Sequence, residues 1–578
     1  MNVNLNFAVA ENKIIKKLTN TALWIFTVFV ALFLLVYTLL HFSFAQTWVV
    51  NRISYYLSAV LHTRVDVQSV SISFPRSLVL KGINVDDQRG NPLLTASSIS
   101  ISAGRISISK KNIVLKNITL TNADFNLKVY QGDDHNNLKF ITDYFTSTDT
   151  TKGTPFKLQL GNLVLKNCSF SLLNENMTKK GRGVDLNDLK VISVSGEIKN
   201  FISANDSVLV DLRNISLKEK SGFHLKDFST DIMVTPVMIA LRNLSVEANE
   251  SKIRSDVALS FRSLNDFDDF NSRVHLNINL DKSIVALDDV GYFADELRGI
   301  GKKITVSGKI KGTVSALKVR DLAFAYGKDT RLNGNINITG LPDINSTYIE
   351  CTVSELTSSP GDAATFPLEW KTEKKKFVSL PDNIKRLGNI LFKGKFTGFY
   401  NDFVAYGNLN TALGFASTDI NFKTNPETKK ISYTGRLAVN NFSLGELIDS
   451  KNVGIVSFNV NLKGSGFAVK DLVEEATGTI TSFEYNKYNY RNISLSGNFA
   501  RKYFKGAFTI HEPNADVEFN GSVDLNGELP EYDFVALVNY MNLDNLKLVE
   551  AGKEQQLRTK LNINARGNSV GNLEGSVL

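Results

Sequence analysis

The chain has 578 residues, 43% of them apolar and 21% charged, so it is too long for one compact core and too apolar for a disordered tail, and several domains or a repeat array are expected. Its net charge of +8 is spread without a long Lys/Arg block, which argues against a nucleic-acid-binding stripe and for a solvated, lysine-rich surface. Two cysteines cannot build a disulfide framework; Cys168 alternates in phase with Phe170 and Leu172, and Cys351 with Ile349 and Val353, so both read as core fillers.

Residues 1–20 read as a tail and residues 21–44 as an anchor. The run Thr21–Leu40 (TALWIFTVFVALFLLVYTLL) carries no charge over twenty residues, enough to cross a bilayer core as a helix. Lys13, Lys16 and Lys17 precede it and the next firm positive charge is Arg52. This asymmetry predicts a cytoplasmic N-terminus with the rest of the chain across the membrane, and Trp24 and Tyr37 sit where aromatic rings favour the headgroup zone. Small residues at Ser43 and Ala45 allow a cleaved signal peptide instead, but the apolar run is long for one. Residues 45–62 come next as an amphipathic helix, with Val49, Ile53, Leu57, Val60 and Leu61 on one face. Such a helix either lies on the outer leaflet or plugs the end of a β body.

From Thr63 the period changes to two. Val517, Phe519, Val523 and Leu525 alternate with Glu518, Asn520, Ser522, Asp524 and Asn526; Ile431, Tyr433, Leu437 and Val439 repeat the arrangement. Strand side chains alternate faces, so each segment has one apolar and one polar side. With no helical crossovers, the prediction is a mostly β fold: a long, repetitive, mostly antiparallel sheet. At roughly ten to twelve residues per strand and turn it holds on the order of 45 strands, running on the order of 200 Å at the usual strand spacing. Helical interruptions are expected at 441–450 and 467–477. The organisation expected is a first β region over 63–145, a linker over 146–155, a middle array over 156–355, an insertion over 356–390 and a second array over 391–578. The pattern is still running at GNLEGSVL, which reads as a truncated array.

An apolar-x-apolar-x-Gly phrase recurs, as in Ile304-Thr-Val306-Ser-Gly308, Phe458-Asn-Val460-Asn-Leu462-Lys-Gly464 and Phe392-Lys-Gly394-Lys-Phe396. The glycines either open turns or bend the strands. If they bend them, the sheet curls about its apolar face into a groove. A face of Val, Ile, Leu and Phe suits acyl chains, which need no hydrogen-bond partner.

The anchor and the adjoining AQTWVVNRISYYLSAVLHTRVDVQSVSISFPRSLVLKGINVDDQRGNPLL, then NIVLKNITLTNADFNLKVY, FKGKFTGFYNDFVAYGNLNTALG and NFSLGELIDSKNVGIVSFNVNLKGSGF, carry a resemblance. The chain resembles the AsmA-like superfamily, and most closely the TamB-like translocation and assembly proteins of Bacteroidetes-type bacteria. The resemblance implies an inner-membrane anchor, a periplasmic β-groove carrying phospholipid towards the outer membrane, and a TamA-type outer-membrane barrel as partner. That partner contact belongs to a C-terminal domain this sequence does not display. The lining expected for the groove is Ile304, Val306, Phe392, Phe396, Ile431, Tyr433, Leu437, Val439, Phe458, Val460, Leu462, Val517, Phe519, Val523 and Leu525.

Catalysis is not expected. The six histidines are scattered without metal-ligand spacing, and Asp133-Asp134-His135 sits in a polar QGDDHNN turn. No phosphate loop, nucleophile elbow or HExxH occurs, and no cofactor is expected. Two readings compete with the lipid groove: an assembly factor whose strand edges pair with client strands, and an anchored structural or adhesive protein with closed sandwiches.

Overall fold

A computed structural model describes residues 24–32, 34, 38, 43–73, 77–107, 112–146, 157–204, 206–369, 376–377, 380–428, 430–466, 473–500, 502–549, 555–568 and 574–578. The topology residues Lys13, Lys16, Lys17 and Tyr37, much of the Thr21–Leu40 run and nearly all of the 146–155 linker lie outside these. The described part of the apolar run is helical and presents Trp24, Phe26 and Phe29 outward. Among the described residues no helix is long and apolar enough to cross a membrane.

The protein is mostly β, and 27 strands are assigned to one mostly antiparallel sheet. With two further short strands this makes 29 among the described residues, fewer than the 45 or so expected. The strands are longer than that expectation assumes, reaching 18 residues in Asn112–Val129. Two compact units divide the chain, one comprising 1–235, 241–250 and 291–295, the other 236–240, 251–290 and 296–578. The division falls inside the stretch that the sequence reads as one middle array.

In the first unit, β1 (Val65–Ser73), β2 (Ser77–Asp86), β3 (Pro92–Ser107), β4 (Asn112–Val129), β5 (Lys157–Asn174), β6 (Asp188–Ala204), β7 (Ser207–Glu219) and β8 (His224–Thr235) pair in sequence order. All pairs are antiparallel except β4–β5, which is parallel; alternation alone does not announce it. The parallel register superimposes two related segments, KNITLTNADF on GNLVLKNCSF. Asn117 meets Asn162 at 3.3 Å, Asn122 meets Asn167 at 2.8 Å, and Phe125 stacks on Phe170 at 6.0 Å. Identical side chains in register satisfy one another, which is what holds a parallel pair that no hairpin enforces.

The helix Ser43–Leu61 packs onto this unit. Val50 is buried with Val67, Val70, Ile83, Ala96, Ala123 and Cys168, and the Ser58 hydroxyl accepts from the Val65 amide at 3.0 Å. The helix thus contacts the β body through Val50 and Ser58, while Trp48, Tyr55 and Tyr56 stay exposed on it. Cys168 is a core filler, as expected.

In the second unit the strands come after β9 (Met238–Ala248): β10 (Ser251–Ser260), β11 (His275–Ala286), β12 (Lys303–Thr313), β13 (Ala316–Tyr326), β14 (Thr330–Thr339) and β15 (Tyr348–Ser358). A small separate sheet, β16 (Pro367–Glu369) and β17 (Lys376–Phe377), interrupts them. The run resumes with β18 (Ile390–Phe399), β19 (Asp402–Thr411), β20 (Gly414–Thr424), β21 (Ile431–Ser443), β22 (Val453–Ser465), β23 (Val473–Tyr485) and β24 (Tyr488–Ala500). It continues through β25 (Tyr503–Glu512), β26 (Ala515–Asp524), β27 (Glu531–Asn542), β28 (Gln556–Arg566) and β29 (Glu574–Val577). From β10 onward every pair in the main sheet is antiparallel between consecutive strands, and β15 pairs directly with β18. The insertion read near 356–390 therefore leaves the meander unbroken. The helix expected over 467–477 is corrected where the structure describes it: Val473–Thr477 is strand, paired with β22 and β24, and 467–472 lie outside the described residues. A helix does form over Leu444–Ile448.

Candidate functional site

Residues opposite each other in a ladder share a face, so the register of the second unit can be followed across the sheet. A first ladder runs Val306–Phe324–Leu332–Leu356–Phe392–Leu409–Ala416–Val439–Phe458–Ile480–Ile493–Ile510–Val517–Val538. Two residues along each strand, a second ladder includes Val353, Leu437, Val460, Leu495, Phe508, Phe519, Ala536 and Leu561. A third holds Cys351, Phe396, Ile420, Leu462, Ala476, Phe534 and Ile563. The fourth runs Ile349–Gly398–Phe403–Phe422–Tyr433–Gly464–Glu474–Phe499–Phe504–Val523–Tyr532.

These ladders bring together most of the proposed lining. Val306, Phe392, Val439, Phe458 and Val517 are in the first, Leu437, Val460 and Phe519 in the second, Phe396 and Leu462 in the third, and Tyr433 and Val523 in the fourth. Ile304, opposite Tyr326, lies one step outside the first ladder. Ile431, opposite Thr424, lies one step beyond the fourth, at the strand end. Leu525 is corrected: β26 ends at Asp524, whose carboxylate accepts from the Asn526 amide at 2.9 Å and starts a turn, and Leu525 is 43% exposed.

The face is about 20 Å wide from first to fourth ladder and on the order of 65 Å long from β12 to β28, from standard strand dimensions. Aromatic rings tile it. Phe508 and Phe519 stack at 4.8 Å and Phe519 meets Phe534 at 4.9 Å on β25–β27, and a separate row on β18–β20 joins Phe396, Phe403 and Phe422 at 4.5 and 5.3 Å. Gly497, Gly506 and Gly521 face one another across β24, β25 and β26 in the middle of these strands, not at turns. A Cβ on Gly506 would collide with the Ser496 carbonyl and the Gly497 backbone, so glycine here permits strand backbones to approach.

The two rims differ. Along the first ladder, Leu387, Leu413, Leu444 and Leu447 pack on Val439, Phe442 and Val456, while Leu546, fully buried, packs on Val517 and Val538. Arg386 ties these pieces together by donating to the Glu446 carbonyl at 3.0 Å and pairing with Asp449 at 3.2 Å. The fourth ladder lies one residue from the turns at Phe399–Asp402 and Ala500–Tyr503. Among the described residues most side chains of the outer ladders stay half-buried, and their nearest backbone neighbours are ladder partners and short helices.

One ionisable acid stands on the four ladders. Burial raises the Glu474 carboxyl, against the opposing effect of a hydrogen bond from Tyr433. Burial, reinforced by the charge of Glu474, pushes Tyr433 up to about 12. Burial also raises the Cys351 thiol. Sequence reasoning misses Glu474 because FAVKDLVEEAT looks helical; strict alternation from Val460 through Leu462 to Gly464 on the partner strand is the signal that finds it.

The QGDDHNN turn borders a cavity of about 410 Å³ in the first unit. Two of its acids, Asp87 and Asp133, are already engaged. Asp87, 2% exposed, accepts from the Tyr130 hydroxyl at 2.6 Å, the Asn137 amide at 2.9 Å and the Arg89 and Asn91 backbone at 2.9 Å each. Arg89 pairs with Asp133 at 2.7 Å. Among the described residues no cluster of three or more His, Cys, Asp or Glu could hold a metal. The fold and face define an open, one-sided antiparallel meander with an apolar surface. No protein-family model, curated protein or solved structure matches the chain.

Proposed function

We propose that the chain is an inner-membrane-anchored, periplasmic conduit whose apolar β face carries phospholipid acyl chains towards the outer membrane. The observation that carries this reading is the continuity of the four ladders: from β12 to β28 the described inward positions hold a single charged side chain. Apolar patches beyond a few hundred Å² are rare on soluble monomers and mark an interaction surface. At about 25 cal/mol per Å² the bare face is costly in water, and acyl chains relieve that cost without needing polar partners. The face is about 20 Å wide, enough to receive a chain from one leaflet, roughly 15 Å or half a bilayer core. The twenty uncharged residues of Thr21–Leu40, with lysines in front, support the membrane tether, and a TamA-type barrel is the partner that the AsmA-like resemblance suggests. The closed-sandwich alternative requires a covering layer over the outer ladders.

The test is photo-crosslinking in cells. A photoreactive residue placed at Phe396, Leu462 or Phe519 should capture phospholipid, while one at Glu518 or Asn520 on the opposite face should not. Folded protein that captures no lipid at any inward position overturns the conduit.

A further inference from the structure

The fourth ladder interrupts its own apolar sequence at one place. Tyr433, Gly464 and Glu474 are successive partners across β21, β22 and β23. Because Gly464 has no side chain, the flanking phenol and carboxylate meet over it. The Tyr433 hydroxyl lies within reach of both the Glu474 carboxylate and the Gly466 carbonyl, the latter at 3.3 Å. Phe422 stands on the far side of Tyr433 and Phe499 on the far side of Glu474. A carboxylate in such surroundings is costly; the Tyr433 hydroxyl answers it with a neutral hydrogen bond, and no cationic side chain stands on the four ladders beside it. Nothing in the sheet requires it there: the other described members of the four ladders are uncharged.

Its position across the face gives it a use. The first rim is lined by packed leucines, and the fourth ladder is the last continuous inward row, with Thr424 and Ile431 one step beyond it at the ends of β20 and β21. A phospholipid whose chains lie over the first three ladders therefore brings its headgroup to the fourth. We propose that Glu474 and Tyr433 form a headgroup station that takes the ammonium of an aminophospholipid such as phosphatidylethanolamine; the proposal rests on the conduit reading. The carboxylate accepts two of the three N–H bonds of a primary ammonium and the phenol oxygen can accept a third. An anionic lipid such as phosphatidylglycerol brings no cation, and its phosphate is repelled by Glu474.

The experiment uses full-length protein in detergent with two photoactivatable probes, phosphatidylethanolamine and phosphatidylglycerol carrying the same acyl chains. The wild type should capture the ethanolamine lipid about fivefold better, as expected for one partly exposed ion pair. Glu474→Gln should equalise the two by lowering ethanolamine-lipid capture, with glycerol-lipid capture no lower than in the wild type because the repulsion is gone, which also shows that the variant is folded. Glu474→Lys should reverse the preference. Equal capture of both lipids by the wild type, or a preference untouched by Glu474→Gln, overturns the station and leaves the conduit standing. Capture of neither lipid overturns both.

Discussion

Phe508 and Phe519 stack across β25 and β26 with ring centroids 4.8 Å apart and planes inclined by 10°. Each also lies on the second ladder, with Leu495 beyond one and Ala536 beyond the other. The pair is thus both packing for two adjacent strands and part of a surface that continues past them. A change there has two separable consequences, one for the fold and one for what the face can hold.

Phe519→Ala should destabilise the body by about 1–3 kcal/mol, less than for a fully buried phenylalanine because the ring is half-exposed. Phe519→Asp should block lipid passage while strands several ladders away stay protease-resistant, since a meander is stabilised chiefly by neighbour contacts. Limited proteolysis combined with lipid photo-crosslinking at neighbouring inward positions reads both effects. Loss of protection along the whole second unit would mean the residue is ordinary core.

Gly506→Val should separate β24 from β25, because its Cβ meets backbone on the opposite strand and backbone cannot rotate away. The expected cost is about 1–3 kcal/mol or more. Gly181→Ala, where a Cβ would meet nothing within 4 Å, should be nearly neutral. Urea unfolding of the two variants in parallel checks the contrast.

Asp87 anchors the loop end of the first unit. Burial pushes its carboxyl up, but hydrogen bonds from Asn137, Tyr130 and the Asn91 and Arg89 amides more than offset this and leave it below its ordinary 3.8. A depressed folded value means the stabilisation is present above the unfolded value and is lost as pH falls through the folded one. Asp87→Ala should cost about 3 kcal/mol at neutral pH, and the difference from wild type should shrink below about pH 4. Tyr130, pushed up to about 12 by burial and by Asp87, should return towards 10 in that variant, which ultraviolet titration would detect.

The proposed topology predicts that a reporter fused after Phe125 works only if it is of the kind that folds outside the cytoplasm. An active cytoplasm-only reporter at that site would reverse the orientation and remove the periplasmic reading.

Face assignment was legible from the chain because alternation is local. Whether Val517 or Glu518 points inward depends on its own strand, and the same rule placed Val439, Phe458 and Leu462. What alternation cannot carry is distance. It does not say where a strand stops, so Leu525 kept the rhythm but fell past the Asp524 turn. Local period also misled at Glu474, where a helix-like stretch is held as strand by backbone pairing on both sides. The parallel match of Asn122 to Asn167 depends on two segments 45 residues apart finding one register. Only the tertiary structure decided these, along with the difference between the two rims. They arise from contacts between residues far apart in the chain, and a residue's own neighbours carry no information about those partners.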